Sequence, residues 1–171
     1  MPATIAGEAR RVRKGGRPLT GGERALAASV FGDAIAYDRV AIHNRKWMVF
    51  QPRRVAMAPD GHIWFHPQGG LFRDDFSAAP LGDQGLFIHE MVHVWQHQSG
   101  IVLPLRRHPF CRYDYCLKPG WRLERYGLEQ QAEIVRHAFL LGRGARVVGA
   151  PPLSQYEGIL PFRSNVVSLR G

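Results

Sequence analysis

The residues QGLFIHEMVHVWQHQ, from Gln84 to Gln98, decide how this chain folds. Apolar side chains recur here at intervals of three and four residues, and Gly100 follows soon after, which predicts an α-helix that stops at this glycine. At about 100° per residue, the apolar side chains gather on one side of the helix and the histidines on the other. We therefore expect an apolar back against the core and a histidine-lined front.

The front of this helix carries the sequence HEMVH, residues 89–93, which has the form H-E-x-x-H. Residues four apart lie one helical turn apart on the same face, so two imidazoles can reach one metal ion. The glutamate between them can contact a water at that ion without binding the metal. The pattern predicts a zinc site of the metallopeptidase kind, with His89 and His93 as ligands and Glu90 as general base.

A catalytic zinc ion usually takes three protein ligands. Position 96 is Gln and position 99 is Ser, which excludes the longer H-E-x-x-H-x-x-G-x-x-H form with a third histidine. His97 continues the histidine stripe, but three histidines in a row span about 12 Å of helix axis, too far for one ion. We expect His97 beside the ligands, at the rim of the site.

Glu129 and Glu133 lie four residues apart on a later predicted helix. Such a pair suits a gluzincin: Glu129 is the expected third ligand, and Glu133 is expected to hold a ligating histidine through its other ring nitrogen. One alternative is a solvated glutamate face paired with Arg125 or Arg136. Glu124 is a weaker competitor for the ligand position.

The rest of the chain predicts an α+β domain. The sequence TGGE, residues 20–23, has the form of a capping box and predicts a helix to Phe31. Residues 39–43 alternate as a strand, and residues 54–58 and 62–66 flank the turn sequence PDG. A further helix is expected over residues 123–141.

These elements predict a small, mostly antiparallel sheet with two site-bearing helices. We expect a flexible basic arm at residues 1–17, one domain at residues 18–145 and a C-terminal tail, residues 146–171, packed on or near that domain.

Composition bounds the function only loosely. The chain has 171 residues and a net charge of +9, which is compatible with nucleic acid, an anionic surface or an acidic protein, but also with arginine-rich codon usage alone. No apolar run is long enough to span a membrane, and the basic N-terminus lacks the apolar segment of a secretory signal. We expect a cytoplasmic protein, or one exported by a machine that needs no signal peptide. Cys111 and Cys116 do not define a metal site by themselves.

Several runs of the sequence match those of a known family: Gly32-Asp33, residues 40–43, Ile63-Trp64-Phe65, the run HEMVHVWQ at residues 89–96, and residues 129–133. Residues 18–98 resemble the metallopeptidase domain of the contractile-injection-system core family, and the chain is similar to Vgr-related proteins. The resemblance implies a minimal zincin-like fold, one zinc ion, and injection-system or spike proteins as partners. The family usually has Asp where this chain has Glu133.

If the protein is an enzyme, a zinc-activated water would attack a peptide bond and Glu90 would take the proton of that water. Tyr126 or His137 is the expected donor to the oxyanion, with Tyr113 and Tyr115 as further candidates.

Three other functions stay open on the sequence alone. The site could belong to a non-catalytic zinc module that stabilises the fold or binds a partner. A DNA-associated protease of the SprT-like kind also uses H-E-x-x-H, but usually adds a histidine ligand and a zinc ribbon that this chain lacks. A toxin or effector acting in a neighbouring cell would need no signal peptide if a machine delivered it.

Overall fold

The structure, a computed structural model, describes residues 15–103 and 113–162. The architecture is α+β, as predicted, with three α-helices and one three-stranded sheet in the described part of the chain. The helices are α1 (Gly21–Phe31), α2 (Leu81–Gln98) and α3 (Leu128–Gly142). The strands are β1 (Arg17–Pro18), β2 (Ala41–His43) and β3 (Ile63–Trp64). Short 3-10 turns lie at Tyr37–Arg39, Phe76–Ala78, Leu123–Arg125 and Leu153–Gln155.

The sheet is mixed, and the prediction of a mostly antiparallel sheet was wrong in this respect. β1 pairs with β2 antiparallel, whereas β2 pairs with β3 parallel. The long connection over residues 44–62 carries the chain back to the start of β2, so β3 runs in the same direction. The predicted hairpin is reduced to one antiparallel bridge between Met57 and Trp64. Pro59 lies two residues after Met57 and cannot donate to a longer ladder.

Helix α1 begins as predicted, and its capping glutamate joins three parts of the fold. The hydroxyl of Thr20 accepts from the backbone N–H of Glu23, and Glu23 accepts in return from the backbone N–H of Thr20. The Glu23 carboxylate is fully buried, and it also accepts from Arg17 in β1 and from the backbone N–H of Phe76. A buried carboxylate with this many donors is well satisfied.

Helix α2 runs through the middle of the domain. It begins three residues earlier than expected, at Leu81 after Pro80, and ends before Gly100 as predicted. Gly100 has φ of +88°, a conformation that glycine adopts without strain. The predicted apolar back is present: Phe87, Ile88 and Met91 are fully buried in the core. His89 and His93 of the histidine-lined front are buried as well, because α3 packs across them, whereas His97 is exposed.

Helix α3 begins at Leu128, later than predicted. Leu123–Arg125 forms a separate 3-10 turn, and the extended backbone of Tyr126 separates it from the helix. The backbone N–H of Gly127, directly before the helix, donates to the Gln130 side chain over 3.0 Å. This start places Glu129 in the first turn of α3, where the positive end of the helix dipole favours a carboxylate.

The described residues at both ends of the chain contact the rest of the domain. Residues 1–14 of the expected arm lie outside the described residues, and Arg17 lies in β1. Tyr156, Ile159 and Phe162 of the tail are buried in the same core as the helices. Among the described residues, none of the helices has the length and hydropathy to cross a bilayer. Cys116 is exposed, and Cys111 lies outside the described residues.

Candidate metal centre

The packing of α3 across α2 brings the three predicted ligands together. One ligand atom from each of His89, His93 and Glu129 lies within 4.8 Å of the other two. The Oε2 atom of Glu129 is 3.3 Å from Nε2 of His89 and 3.2 Å from Nε2 of His93. All three residues are buried: the exposed fraction of the surface is 6% for His89, 1% for His93 and 2% for Glu129. Within the described residues, these three form the only group of this kind that meets the geometric requirement for a metal site.

The ring orientation of His93 follows from Gln96. The side-chain oxygen of Gln96 lies 2.8 Å from Nδ1 of His93. The Gln96 amide nitrogen is already used, because it donates to the side-chain oxygen of Gln131 and to the backbone carbonyl of Leu128. The Gln96 oxygen can only accept, so Nδ1 of His93 carries the proton. In the neutral imidazole, Nε2 then carries a lone pair, which is directed at Glu129.

His89 is held in the same way by a carboxylate. Its Nδ1 lies 2.8 Å from Oε1 of Glu133, while its Nε2 faces Glu129. Burial alone would lower the pKa of His89, but its contacts with Glu129 and Glu133, together with the charge of Glu90, raise that pKa to about 9. The surroundings of His89 therefore strongly favour a positive charge at this point.

Two imidazole nitrogens and one carboxylate oxygen thus converge from three sides. Nδ1 of His93 donates to Gln96 and Nδ1 of His89 lies 2.8 Å from Glu133, so both Nε2 atoms face the Glu129 carboxylate, an arrangement that is favourable with a proton or a metal cation among them. In a tetrahedral zinc site with bonds of about 2.0–2.1 Å, neighbouring ligand atoms are about 3.3 Å apart. The two nitrogen–oxygen separations are close to this value, so His89, His93 and Glu129 could hold a metal ion.

Glu90 lies beside this group, on the same turn of α2. Only 3% of it is exposed, and its Oε2 is buried without a hydrogen-bond partner among the described residues. Leaving a buried carboxylate oxygen unsatisfied is costly, and such atoms are uncommon outside functional sites. The arrangement suits an atom that exchanges protons with a small molecule in the site.

Behind the ligands, a chain of polar groups leads from α3 to the C-terminal tail. Oε2 of Glu133 lies 3.1 Å from Nε2 of His137. The hydroxyl of Tyr115 lies 2.6 Å from Nδ1 of His137 and 2.6 Å from the hydroxyl of Tyr156. If His137 donates from Nε2 to Glu133, then Tyr115 donates to Nδ1 and Tyr156 donates to Tyr115, so every group in the chain is satisfied.

The same contacts account for the pKa shifts in this chain of groups. Burial works against the charged form of Glu133, but hydrogen bonds from His137 and His89 and the nearby charge of Arg136 hold its pKa well below the usual range. Burial raises the pKa of Tyr115 far above that of a free phenol. Glu133 is therefore a carboxylate and Tyr115 a neutral phenol throughout the physiological range. The alternative of a solvated glutamate face named Arg136 as an ion-pair partner, and Arg136 does contact Glu133 at 3.2 Å. His89 contacts the same carboxylate oxygen.

Other predicted site residues lie elsewhere. His97 is exposed and borders a different pocket of about 460 Å³, together with Asp60 and His62. It lies against Gly61, where an added Cβ would come within 2.7 Å of the imidazole. One turn beyond His93, the helix has rotated His97 away from α3 toward the turn before β3. Glu124 is exposed in the 3-10 turn before α3.

The two predicted oxyanion donors are both engaged in other contacts. The Tyr126 hydroxyl accepts from the backbone N–H of Lys118 over 2.8 Å, and its ring packs against Trp121. His137 contacts Glu133 and Tyr115. The phenol beside a ligand is instead Tyr113, whose ring stacks on His89 with centroids 6.4 Å apart. The role of Tyr126 or His137 as the oxyanion donor stays a prediction.

Sequence reasoning left one residue of the centre without a role. In the sequence, Gln96 excludes a longer histidine motif and ends the run HEMVHVWQ of the family resemblance, and neither observation assigns it a role; in the structure its amide sets the orientation of His93. Its position three residues after His93 was the available signal, since such residues are neighbours on a helix surface. Gln131, which receives the Gln96 amide and donates to the backbone carbonyl of Tyr126 over 2.8 Å, could not be paired with it before the α2–α3 packing was known.

Comparisons of sequence and of structure both find similarity to VgrG2b of Pseudomonas aeruginosa. Over 135 residues the chain is 44% identical to the type VI secretion system spike protein VgrG2b of Pseudomonas aeruginosa. The match covers 73% of this chain but only 13% of that protein's length. The solved structure of the effector domain of Pseudomonas aeruginosa VgrG2b is similar with a TM-score of 0.70 and 40% sequence identity, covering 76% of each chain. No protein-family model matches the chain.

Proposed function

The chain belongs to the family of the VgrG2b effector domain, and from this membership and the geometry of its metal centre we propose that it is a zinc-dependent peptidase of the gluzincin type. In this proposal the fold is a minimal zincin, His89, His93 and Glu129 bind one zinc ion, and Glu90 is the general base. The substrate is a peptide or protein.

One observation carries the proposal: the buried convergence of His89, His93 and Glu129 beside a buried carboxylate, Glu90, whose Oε2 has no hydrogen-bond partner among the described residues. A purely structural use of the helix pair would not require two imidazoles to face one buried carboxylate. Nor would it require a second carboxylate to be buried beside them with one oxygen unsatisfied, which costs about 1–3 kcal/mol.

The chain's own residues divide the work of hydrolysis. When bound, zinc supplies Lewis-acid polarisation of the scissile carbonyl and of the attacking water. Oε2 of Glu90 accepts a proton from that water and passes it to the leaving amine. Gln96 accepts a hydrogen bond from Nδ1 of His93 and the Glu133 carboxylate lies 2.8 Å from Nδ1 of His89, so both Nε2 atoms would be directed at the metal. Burial of the site excludes bulk water and strengthens each of these interactions.

Tyr113 is the best-placed phenol to stabilise the oxyanion, because its ring lies beside His89 and about half of its surface is exposed. In the proposed reaction its hydroxyl donates to the developing negative oxygen. Tyr113→Phe should then lower kcat by about 100-fold, as the loss of one oxyanion donor does, while zinc content stays the same. An unchanged kcat would exclude Tyr113 from this role.

The experiment that tests the proposal separates metal binding from catalysis. Purified wild-type protein should contain about one equivalent of zinc and hydrolyse peptide bonds in a mixed peptide library. His93→Ala should lose the zinc, whereas Glu90→Gln should keep the zinc and lose hydrolysis. Glu124→Gln, a matched change at an exposed glutamate, should do neither. Full zinc content in His93→Ala, or full activity in Glu90→Gln, would overturn the assignment.

A second candidate is a non-catalytic zinc module, and the near-complete burial of the three ligand side chains favours it. The two functions differ in whether a small molecule can reach the metal. A hydroxamate, which binds zinc through an open coordination position, should protect the wild-type protein against thermal unfolding if the site is catalytic. A closed structural site would show no shift in Tm with hydroxamate but a large fall in Tm on chelation.

The proposed location also rests on the relatives. VgrG2b is a type VI secretion spike protein, and its effector domain is the part this chain resembles. We infer that the chain acts as a spike-delivered effector, exported by the type VI machine. A tagged chain in its native host should then reach the medium only while the type VI machine is intact. Export that persists without the machine would refute this.

A further inference from the structure

The connection between β2 and β3 carries an exposed apolar tip that the proposed peptidase function does not use. Met48, Val49 and Phe50 are consecutive in the sequence and are 43%, 76% and 87% exposed. Soluble proteins usually leave large apolar side chains exposed singly, and a contiguous group marks an interaction surface. We call residues 45–54 the basic–apolar loop.

The tip of this loop is held in place by a buried amide. Gln51 is only 3% exposed, and its side-chain oxygen accepts from the backbone N–H of Trp47 over 2.9 Å. Its side-chain nitrogen donates to the carbonyls of Val55 and Trp64, over 2.9 and 3.0 Å. Gln51 therefore ties both ends of the tip to β3, so the fold presents the apolar side chains outward instead of letting them collapse onto the core.

Positive charges surround the tip on both sides. Arg45 and Lys46 precede it, and Arg53 and Arg54 follow it, all exposed. No acidic residue occurs from position 44 to position 59. Arg45 lies over the Trp64 ring at 5.3 Å, and Lys46 donates to the backbone carbonyl of Val49 over 3.2 Å. Among the described residues, no ion pair neutralises these four cations.

The charge is felt by a neighbouring group. Burial lowers the pKa of His66, and the charges of Lys46 and Arg53 lower it further. The face of the domain around the loop thus carries a positive potential, which attracts anionic surfaces over a distance of about 10 Å at moderate salt.

We propose that the basic–apolar loop docks the domain on an anionic lipid surface, with Met48, Val49 and Phe50 inserted among the lipids and the four cations at the level of the headgroups. The half-buried Trp47 lies at the base of the tip, where its indole suits the boundary between water and hydrocarbon. Nucleic acid would use the cations but offers nothing to cover the apolar tip. A protein groove would cover the tip, but it gives no reason for four cations without an intervening acid.

The test uses the purified chain and vesicles, so its result does not depend on the peptidase proposal. Binding is measured by co-flotation with vesicles of phosphatidylcholine alone and of phosphatidylcholine mixed equally with phosphatidylglycerol. We expect binding to the mixed vesicles only, weakened by salt. Because each basic residue near an anionic surface contributes about fivefold in affinity, Arg53→Glu/Arg54→Glu should weaken binding by roughly 30-fold or more.

Two matched controls separate this loop from general charge and general hydrophobicity. Arg122→Glu/Arg146→Glu makes the same change in net charge at exposed arginines away from the loop, and it should bind within about threefold of wild type. Val49→Ser/Phe50→Ser should weaken binding by at least about tenfold, whereas Val148→Ser, at a valine that is 93% exposed elsewhere, should not.

Three outcomes would overturn the proposal. The first is no binding to the mixed vesicles, as expected if the loop serves a protein partner instead. The second is wild-type binding by Val49→Ser/Phe50→Ser, which would reduce the interaction to charge alone. The third is equal weakening by the two arginine pairs, which would spread the interaction over the whole basic surface. Since every altered side chain is exposed, an unchanged Tm verifies that each variant is folded.

Discussion

Nδ1 of His93 lies 2.8 Å from the side-chain oxygen of Gln96, one turn later on α2. This contact is made within one helix, so it forms as soon as α2 does. It determines which nitrogen of His93 faces Glu129 on the neighbouring helix. The amide of Gln96 in turn reaches α3 through Gln131 and the carbonyl of Leu128. One side chain thus orients a ligand and joins the two helices that form the metal centre.

The first prediction concerns this amide. Gln96→Leu keeps a side chain of similar size but leaves Nδ1 of His93 without an acceptor, so zinc affinity should fall by about 10- to 100-fold. Competition with a chelator measures this directly. Gln98→Leu is the control on the same helix, because the Gln98 amide contacts the backbone of Ala36 and no histidine. Equal losses of affinity in the two variants would show that Gln96 acts only through stability.

The second prediction concerns the length of Glu133. One carboxylate oxygen contacts His89 at 2.8 Å and the other contacts His137 at 3.1 Å. Aspartate is shorter by one methylene and cannot keep both contacts without backbone movement. Glu133→Asp should therefore lower zinc affinity by about tenfold, and Glu133→Ala by up to about 100-fold, both measured by chelator competition. Wild-type affinity in Glu133→Asp would mean that the position accepts either acid, in line with the aspartate found at this position in the resembling family.

The predictable part of the site was the spacing of residues that lie on the same helix. The spacing of His89 and His93 is fixed by helix geometry, and so is the spacing of Glu129 and Glu133. Their meeting depends on the packing of α3 across α2, which periodicity does not predict. The assignment of Glu129 as the third ligand came from the chemistry of zinc sites. From the sequence, His97 was expected at the rim of the metal site, whereas in the structure it borders a different pocket. A straight stripe of histidines on a helical wheel ignores the rotation of about 40° that accumulates over each four residues.

The fold was predictable where local sequence signals were strong. The prediction failed where the pairing of distant segments determines the structure. Thr20 and Glu23 specify the start of α1 through their own hydrogen bonds, and Gly100 ends α2. The direction of β3 depends on how the connection over residues 44–62 returns, and no local pattern encodes that return. The fixed position of the basic–apolar loop was likewise hidden, because it depends on Gln51 reaching Trp64 across the turn.

The third prediction separates two tyrosines that share one hydrogen bond. Tyr115→Phe leaves Nδ1 of His137 and the hydroxyl of buried Tyr156 without partners, so it should lower the free energy of unfolding by about 2–3 kcal/mol. Tyr156→Phe removes only the outer hydroxyl and keeps the bond between Tyr115 and His137, so it should cost about 1 kcal/mol or less. Urea denaturation of the two variants gives both values. A larger loss for Tyr156→Phe would reverse the order of donors proposed for this chain of groups.

The fourth prediction asks whether the C-terminal tail is part of the folded domain. Phe162 packs edge-on against Phe31 of α1 and Trp95 of α2, with ring centroids 4.9 and 5.0 Å apart. Since Phe162 is 9% exposed, removing its ring should leave a cavity between the two helices and lower the free energy of unfolding by about 3 kcal/mol. Phe162→Ala and Phe162→Leu, compared by urea denaturation, should show a clearly smaller loss for leucine, which refills most of the volume. Val148→Ala is the control, because Val148 lies in the same tail but is 93% exposed. A loss below about 1 kcal/mol for Phe162→Ala would mean that the domain ends before the tail, near position 145, as the sequence alone suggests.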